Sequence, residues 1–481
     1  MKDCLWEEIF VEKARNLKER AFGLRDKIGY LLGDFGNDFT FILSSTFLLK
    51  FYTDVMGVDA FIVGIIMMIA RFVDAFTDVT MGRICDRSRV RGSGKFKPWI
   101  LRMCAPVAIS SFLIYQSALR DSPMGLKIAW LFVTYILWGS IFYTSINIPY
   151  GSMASAISAI PEDRQSLSTF RTMGGTLAGV IIGGGRPLLA YKKETVGNAI
   201  VTVLDGPTFT IIAGVLSILS ILAYLGCYFL CTERVISETG GDGRVGSTLS
   251  LLKRAFSNRA LISIVFASIF MLLSQLTMQG MSNYIFPNYY NNAPAMSAST
   301  IAMMIAMLIS AAVAKPVSRL IGKAEISAIC SLIAAAVSLT LYIIRPANVW
   351  IYVLIQFLSW VGLGIFSMVC WALITDVIDY SEIKHGVRED GSIYALYSFS
   401  RKLGQAAASG LTGALLTYIG YSDNTAFDTG VLDGIFDIAT LVPAIGFALL
   451  AIILWFWYPL KRSVVTKNVE ILRRRREEQE G

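Results

Sequence analysis

Asp74 and Asp78 stand four residues apart in the apolar stretch "RFVDAFTDVTMGRICDR". On a helix, positions i and i+4 share a face, and two like charges there repel. In a bilayer each carboxylate costs several kcal/mol unless it is protonated, paired or wetted. Such a pairing gains nothing as packing and suits the capture of a small cation or a proton, because hard oxygens take Na+ and a desolvated carboxylate readily carries H+. Asp38 in "GDFGNDFTF", Asn147 in "YTSINIPYGS", Arg171 in "STFRTMGG" and Lys402 in "SRKLGQ" add further hydrogen-bonding groups within apolar spans. The competing reading is a packing network in which Arg71 and other bases simply neutralise the acids.

The elements that hold these residues follow from composition. The 481 residues are 54% hydrophobic and 16% charged, and the mean hydropathy is +0.58, which excludes an ordinary soluble domain. Windows of roughly 20 apolar residues, enough to cross about 30 Å of hydrocarbon, fall near 30–53, 58–83, 98–119, 124–155, 165–190, 208–231, 259–287, 295–318, 325–345, 348–380, 391–420 and 432–458. The expected fold is an all-α membrane protein of twelve transmembrane helices. With a rise of about 1.5 Å per residue, Asp38 lies roughly 12 Å in from the cytoplasmic end near Tyr30. Asp74, Asn147 and Arg171 come out near the same level and Lys402 somewhat deeper, so five spans feed one region near the midplane, where secondary transporters hold substrate and coupling ion.

Orientation follows from the bases, which short translocated loops avoid. The N-terminal arm, the loop after span 2, the segment 232–258 and the tail "KRSVVTKNVEILRRRREEQEG" are all basic, whereas "FPNYYNNAPAMS" is uncharged. Both termini are therefore expected in the cytoplasm, with the first span as the targeting signal, since "MKDCLWEEIFVEKARNLKER" is no cleavable leader. The net charge of +8 sits on the side facing anionic headgroups and needs no nucleic-acid partner. Seven cysteines, mostly in or beside spans, imply no disulfide framework.

The chain also reads as doubled: an arm over 1–29, a six-helix bundle over 30–231, a cytoplasmic linker over 232–258, a second six-helix bundle over 259–458 and a basic tail over 459–481. "RTMGGTLAGVIIGGG" in span 5 and "RKLGQAAASGLTGA" in span 11 both start with a base and continue as small residues. The spacing of Gly175, Gly179 and Gly183 puts small residues on one face, where helices approach closely.

"DAFTDVTMGRICDRSRVRGSGKFKPW", "INIPYGSM", "PEDRQSLSTFR" and "DVIDYSEIKHGVREDGSIYALYSFSRKLGQ" resemble, in order and spacing from about Tyr30 to Pro459, the signature segments of the glycoside-pentoside-hexuronide:cation symporter family, the melibiose permease-like group of the major facilitator superfamily. The resemblance implies two six-helix halves that carry a sugar with Na+, Li+ or H+, without a cofactor. It assigns Asp74, Asp78 and the Thr144 hydroxyl to the cation, with metal coordination by Asp74 and Asp78 if the ion is Na+. Asp38, Arg171 and Lys402 fall to the sugar pocket, with Tyr143 lining it. Three positions depart from the pattern: Asn147 stands for an acid shared by cation and sugar, and Gly151 and Ser367 stand for tryptophans. These leave the sugar and the ion open; the lost carboxylate tilts the balance slightly toward H+, and an acidic sugar stands beside a neutral one. The basic run Arg83, Arg87, Arg89, Arg91, Lys95 and Lys97 resembles a cytoplasmic gate. Asp376, Asp379 and Glu382, with Lys384 and Arg388, can form gating pairs between the halves or be solvated helix-end charges.

A membrane enzyme would need a nucleophile with its base or a metal cluster, and the single histidine, His385, has no partner at ligand spacing. A channel would need a repeated filter lining, and none is present. The remaining alternative is another cargo, such as a lysolipid, on the same coupling machinery. The expected partners are a small sugar, a monovalent cation and the bilayer, and the expected working state is a monomer.

Overall fold

The computed structural model describes residues 20–88, 94–196, 199–235, 258–385 and 390–480. Twelve helical rods and one terminal helix, counted among these residues, fall into two compact units. The first unit holds α1 (Leu24–Asp54), α2 (Ala60–Arg87), α3 (Lys97–Ile114), α4 (Met124–Ile157), α5 (Pro161–Gly179, continued through Val180–Gly185 to Arg186–Ala190) and α6 (Gly206–Leu230). The second holds α7 (Arg259–Tyr289), α8 (Ala293–Ile321), α9 (Lys323–Ile344), α10 (Val349–His385), α11 (Asp390–Tyr418), α12 (Thr429–Trp457) and a terminal α13 (Arg462–Glu480).

The starts of the rods are written in short polar side chains that satisfy free N–H groups. Asp59 accepts from Phe61 N at 2.8 Å, Asp205 from Thr208 N at 3.2 Å and Asn258 from Ala260 N at 3.0 Å. Among the described residues nine rods are long and apolar enough to cross a membrane by composition alone. The three that are not, α1, α5 and α11, are those that carry Asp38, Arg171 and Lys402. Large apolar side chains face outward, among them Phe76, Leu308 and Ile343, each at least two-thirds exposed. Lipid is the solvent that tolerates such a surface around hydrogen-bonded helices, and the chain is a multi-pass membrane protein.

In the first unit α1 packs against both α5 and α6. Gly175 on α5 permits this approach, since a Cβ there would lie 2.5 Å from Asp38 Oδ2. In the second unit α7 packs against α11 and α12, and a Cβ at Gly404 on α11 would lie 3.2 Å from Ile269 Cα on α7. The small-residue echo between spans 5 and 11 thus marks the same kind of helix pair, α1 with α5 and α7 with α11. Its expected register is corrected, however: Gly183 lies in a π turn, Val180–Gly185, whose extra residue breaks the four-residue spacing.

Further π turns occupy Leu137–Tyr143 in α4, Ile285–Tyr289 in α7 and Ile453–Trp457 in α12. The all-α expectation holds apart from one two-stranded hairpin, β1 (Tyr191–Val196) and β2 (Ala199–Leu204), where β-branched residues favour strand. The basic tail is helical over α13. At the foot of the first unit the Glu233 carboxylate accepts from the backbone N–H groups of Lys95, Phe96 and Lys97 at 2.7, 3.0 and 2.7 Å. This fastens the start of α3 to the end of α6, while burial pushes the Glu233 carboxyl above its ordinary range.

Candidate substrate and cation site

Two clusters of charge lie inside the first unit. In the first, Asp74 and Asp78 project from α2 toward α4. Asp74 Oδ1 accepts from Ser140 Oγ at 2.5 Å, and Oδ2 accepts from Arg71 at 3.1 Å. Asp78 Oδ1 accepts from Thr144 Oγ1 at 2.9 Å. Acids four apart on one helix therefore face hydroxyls four apart on the next, like two rungs of a ladder. The π turn Leu137–Tyr143 sits at these rungs, a common place for such a turn at functional sites. Arg71 is shut in, with a side chain 11% exposed; it also donates to Tyr135 Oη at 3.4 Å and lies 5.3 Å from the centre of the Phe41 ring. Two carboxylates and two hydroxyls thus line one small region, a set of hard oxygens of the kind that small cations favour. Among the described residues no group of three or more His, Cys, Asp or Glu could hold a metal, so Na+ here would draw on hydroxyl or backbone oxygens beside the two acids.

The second cluster joins α1 to α5. Arg171 Nε donates to Asp34 Oδ1 at 2.9 Å, and the guanidinium lies 5.3 Å from the centre of the Tyr150 ring, a cation–π distance. The ion-pair partner of Arg171 is thus Asp34, a residue one turn before Asp38 on α1. Asp38 sits beside the pair against Gly175, and among the described residues its carboxylate makes no hydrogen bond or ion pair.

Between the clusters, Tyr224 Oη donates to Asn37 Oδ1 at 2.6 Å and Asn37 Nδ2 donates to Asn147 Oδ1 at 3.2 Å, tying α6, α1 and α4. Tyr143 stacks on Phe41 at 5.6 Å between ring centres. The first unit thus brings together Asp38, Asp74, Asp78, Tyr143, Thr144, Asn147 and Arg171. Sequence reasoning missed Asp34, Ser140 and Asn37. Asp34 repeats with Asp38 the four-residue spacing of Asp74 and Asp78, the signal that could have revealed it.

Lys402 lies half-buried on α11 in the second unit, as does Ser367 on α10. Arg83 and Arg87 are exposed at the end of α2, whereas Lys97 is buried, its Nζ donating to Cys231 O at 2.8 Å. Asp376 has a partner that the sequence reading did not name. Its ion-pair partner is Lys323 at 2.6 Å, within its own unit, because the lysine at the start of α9 reaches it inside the bundle. Asp379 lies on the same helix, while Arg388, Arg89 and Arg91 fall outside the described residues.

The profile of the family described as MFS/sugar transport protein matches residues 29–462. The chain is 31% identical to the glucuronide carrier protein homolog of Escherichia coli over 91% of its own length and 92% of the relative. It is 30% identical to the isoprimeverose transporter of Lactiplantibacillus pentosus, over 90% and 88%. A crystal structure of a D-xylose–proton symporter, 14% identical, superposes with a TM-score of 0.60 over 91% of this chain and 97% of that one, a likeness of fold. Helices that bury paired charge, and a match along nearly the whole chain, describe a transporter and not an enzyme: the chain belongs to the MFS/sugar transport protein family.

Proposed function

We propose that the chain is a symporter that moves a sugar bearing an acid group together with one monovalent cation, Na+ or H+, by alternating access, as a monomer with both termini in the cytoplasm. The observation that carries the reading is the double rung of Asp74 with Ser140 and Asp78 with Thr144, a cation-sized set of hard oxygens. Asp38, Tyr143, Asn147 and Arg171 take the sugar, and Lys402 is assigned to it from the family pattern. The acid group is favoured by Arg171, whose side chain is 41% exposed beside its largely buried partner Asp34, because arginine binds carboxylates and sulfonates through paired hydrogen bonds. A relative named for glucuronide supports this, and the charged lining weighs against a lysolipid. Arg83, Arg87, Asp376, Asp379 and Arg388 remain assigned to gating. The test is uptake into vesicles of a methyl glucuronide and its matching methyl glucoside, with and without Na+ at fixed pH and with and without a pH gradient. Accumulation of the glucuronide driven by one of these gradients is expected. Equilibration that ignores both gradients would overturn symport, and preference for the glucoside would overturn the acidic cargo.

A further inference from the structure

We propose that the acid group of the cargo docks on the terminal NH1 and NH2 edge of Arg171 while Asp34 holds the guanidinium from its Nε side, and that one proton from solution joins the Asp34–Asp38 pair for each anionic sugar bound. The inference rests on the acidic-cargo reading above. Asp34 engages Nε, and among the described residues the two terminal nitrogens make no hydrogen bond. NH1 lies toward Gly151, where an added Cβ would stand 3.9 Å from it as its nearest neighbour. Asp34 is therefore a positioning residue that aims a fork of two donors at the space where an anion would arrive.

Charge makes the second half necessary. With both acids ionised the cluster carries one net negative charge, and an arriving carboxylate or sulfonate raises this to two. Had one acid been protonated beforehand, the change would be from zero to one. In either case a single proton, taken from solution onto a carboxylate oxygen of Asp34 or Asp38, restores the starting charge. Surplus buried charge is expensive, and two acids on one face of α1 are ready acceptors. The other titratable groups facing the pair are Tyr30 on α1, Tyr143 and Tyr150 on α4, and Tyr224 on α6; Arg171 on α5 supplies the permanent charge. The cargo thus crosses with the net charge of a neutral sugar, and its proton is separate from the cation at Asp74 and Asp78.

The test is calorimetric titration of the purified full-length protein near pH 7, in two buffers of different protonation heat, with a methyl glucuronide and the matching methyl glucoside. Uptake of about one proton per glucuronide and about none per glucoside is expected. Replacing both acids, Asp34→Asn together with Asp38→Asn, should cut the count for the glucuronide to less than about half, whereas Asp34→Glu, which keeps both carboxylates, should leave it near one. Glucuronide binding with no more proton uptake than glucoside binding overturns this inference alone, as does an undiminished count in the doubly substituted protein. Binding of neither sugar, or of the glucoside in preference, overturns the acidic-cargo reading and this inference with it. Should the doubly substituted protein fail to fold, the contrast between the two sugars on the parent protein decides.

Discussion

The two clusters of the first unit use the same parts, one arginine and two aspartates four residues apart, and arrange them differently. Around Asp74 and Asp78 the arginine comes from the same helix, three residues before Asp74, and lies buried against Phe41 with both acids hydrogen-bonded to hydroxyls. Around Asp34 and Asp38 the arginine comes from another helix, one acid holds it, and its side chain is far more exposed. A cluster closed within one helix and its neighbour keeps its shape and admits only something small. A cluster spanning two helices, with an open donor edge, can accept a large guest and answer to its charge.

Breaking the closed cluster should have the largest effect. Asp78→Asn should lower gradient-driven accumulation on the order of 100-fold while sugar binding to the purified protein persists, because on the proposed reading the cation loses one of its two carboxylates. Accumulation near the parent level would show that the coupling ion sits elsewhere. Next comes Arg171→Ala, which should reduce the preference for a glucuronide over its glucoside by about 30-fold, the worth of a charge-assisted pair of hydrogen bonds. Competition uptake measures this, and an unchanged preference would remove the distinction between the clusters. Ser140→Ala sharpens the contrast, since Asp74 loses its hydroxyl but keeps Arg71. Cation affinity should fall about tenfold with the acid-sugar preference intact, as read from the cation dependence of uptake. The smallest expected effect is a several-fold loss of glucuronide affinity in Gly175→Ala, where the new methyl must displace Asp38, with no change in cation dependence.

The two clusters were not equally legible. Asp74 and Asp78 stand out because charge at helical spacing in an apolar run has no cheap structural explanation. Asp34 obeys the same rule, yet "GDFGNDF" also carries glycines and an asparagine that read as an ordinary polar patch, and which acid meets Arg171 depends on how α5 lies on α1. Ser140 could not be distinguished from the many serines that bond back to their own helix. The rods themselves followed from hydropathy, including three that succeed as helices despite their charge. The hairpin 191–204 went unassigned although "ETVGNAIVTV" alternates β-branched residues about a Gly-Asn step, a hairpin signal that a reading tuned to spans passes over. The π turns leave no trace in a period-based pattern at all.

That silence in α4 bears on what a change in the length of the helix would do. A π turn is a helix holding one residue more than its length allows, and each residue of an α-helix advances the side chains by about 100°. Deletion of a single codon between Leu137 and Tyr143 would leave a regular, well-packed helix. It would also swing Ser140 or Thr144 off the face of α2, so one rung of the ladder would be lost without harm to the fold. The geometry of the two rungs thus depends on the length of α4 as much as on the identity of its residues, a dependence that substitution alone does not probe.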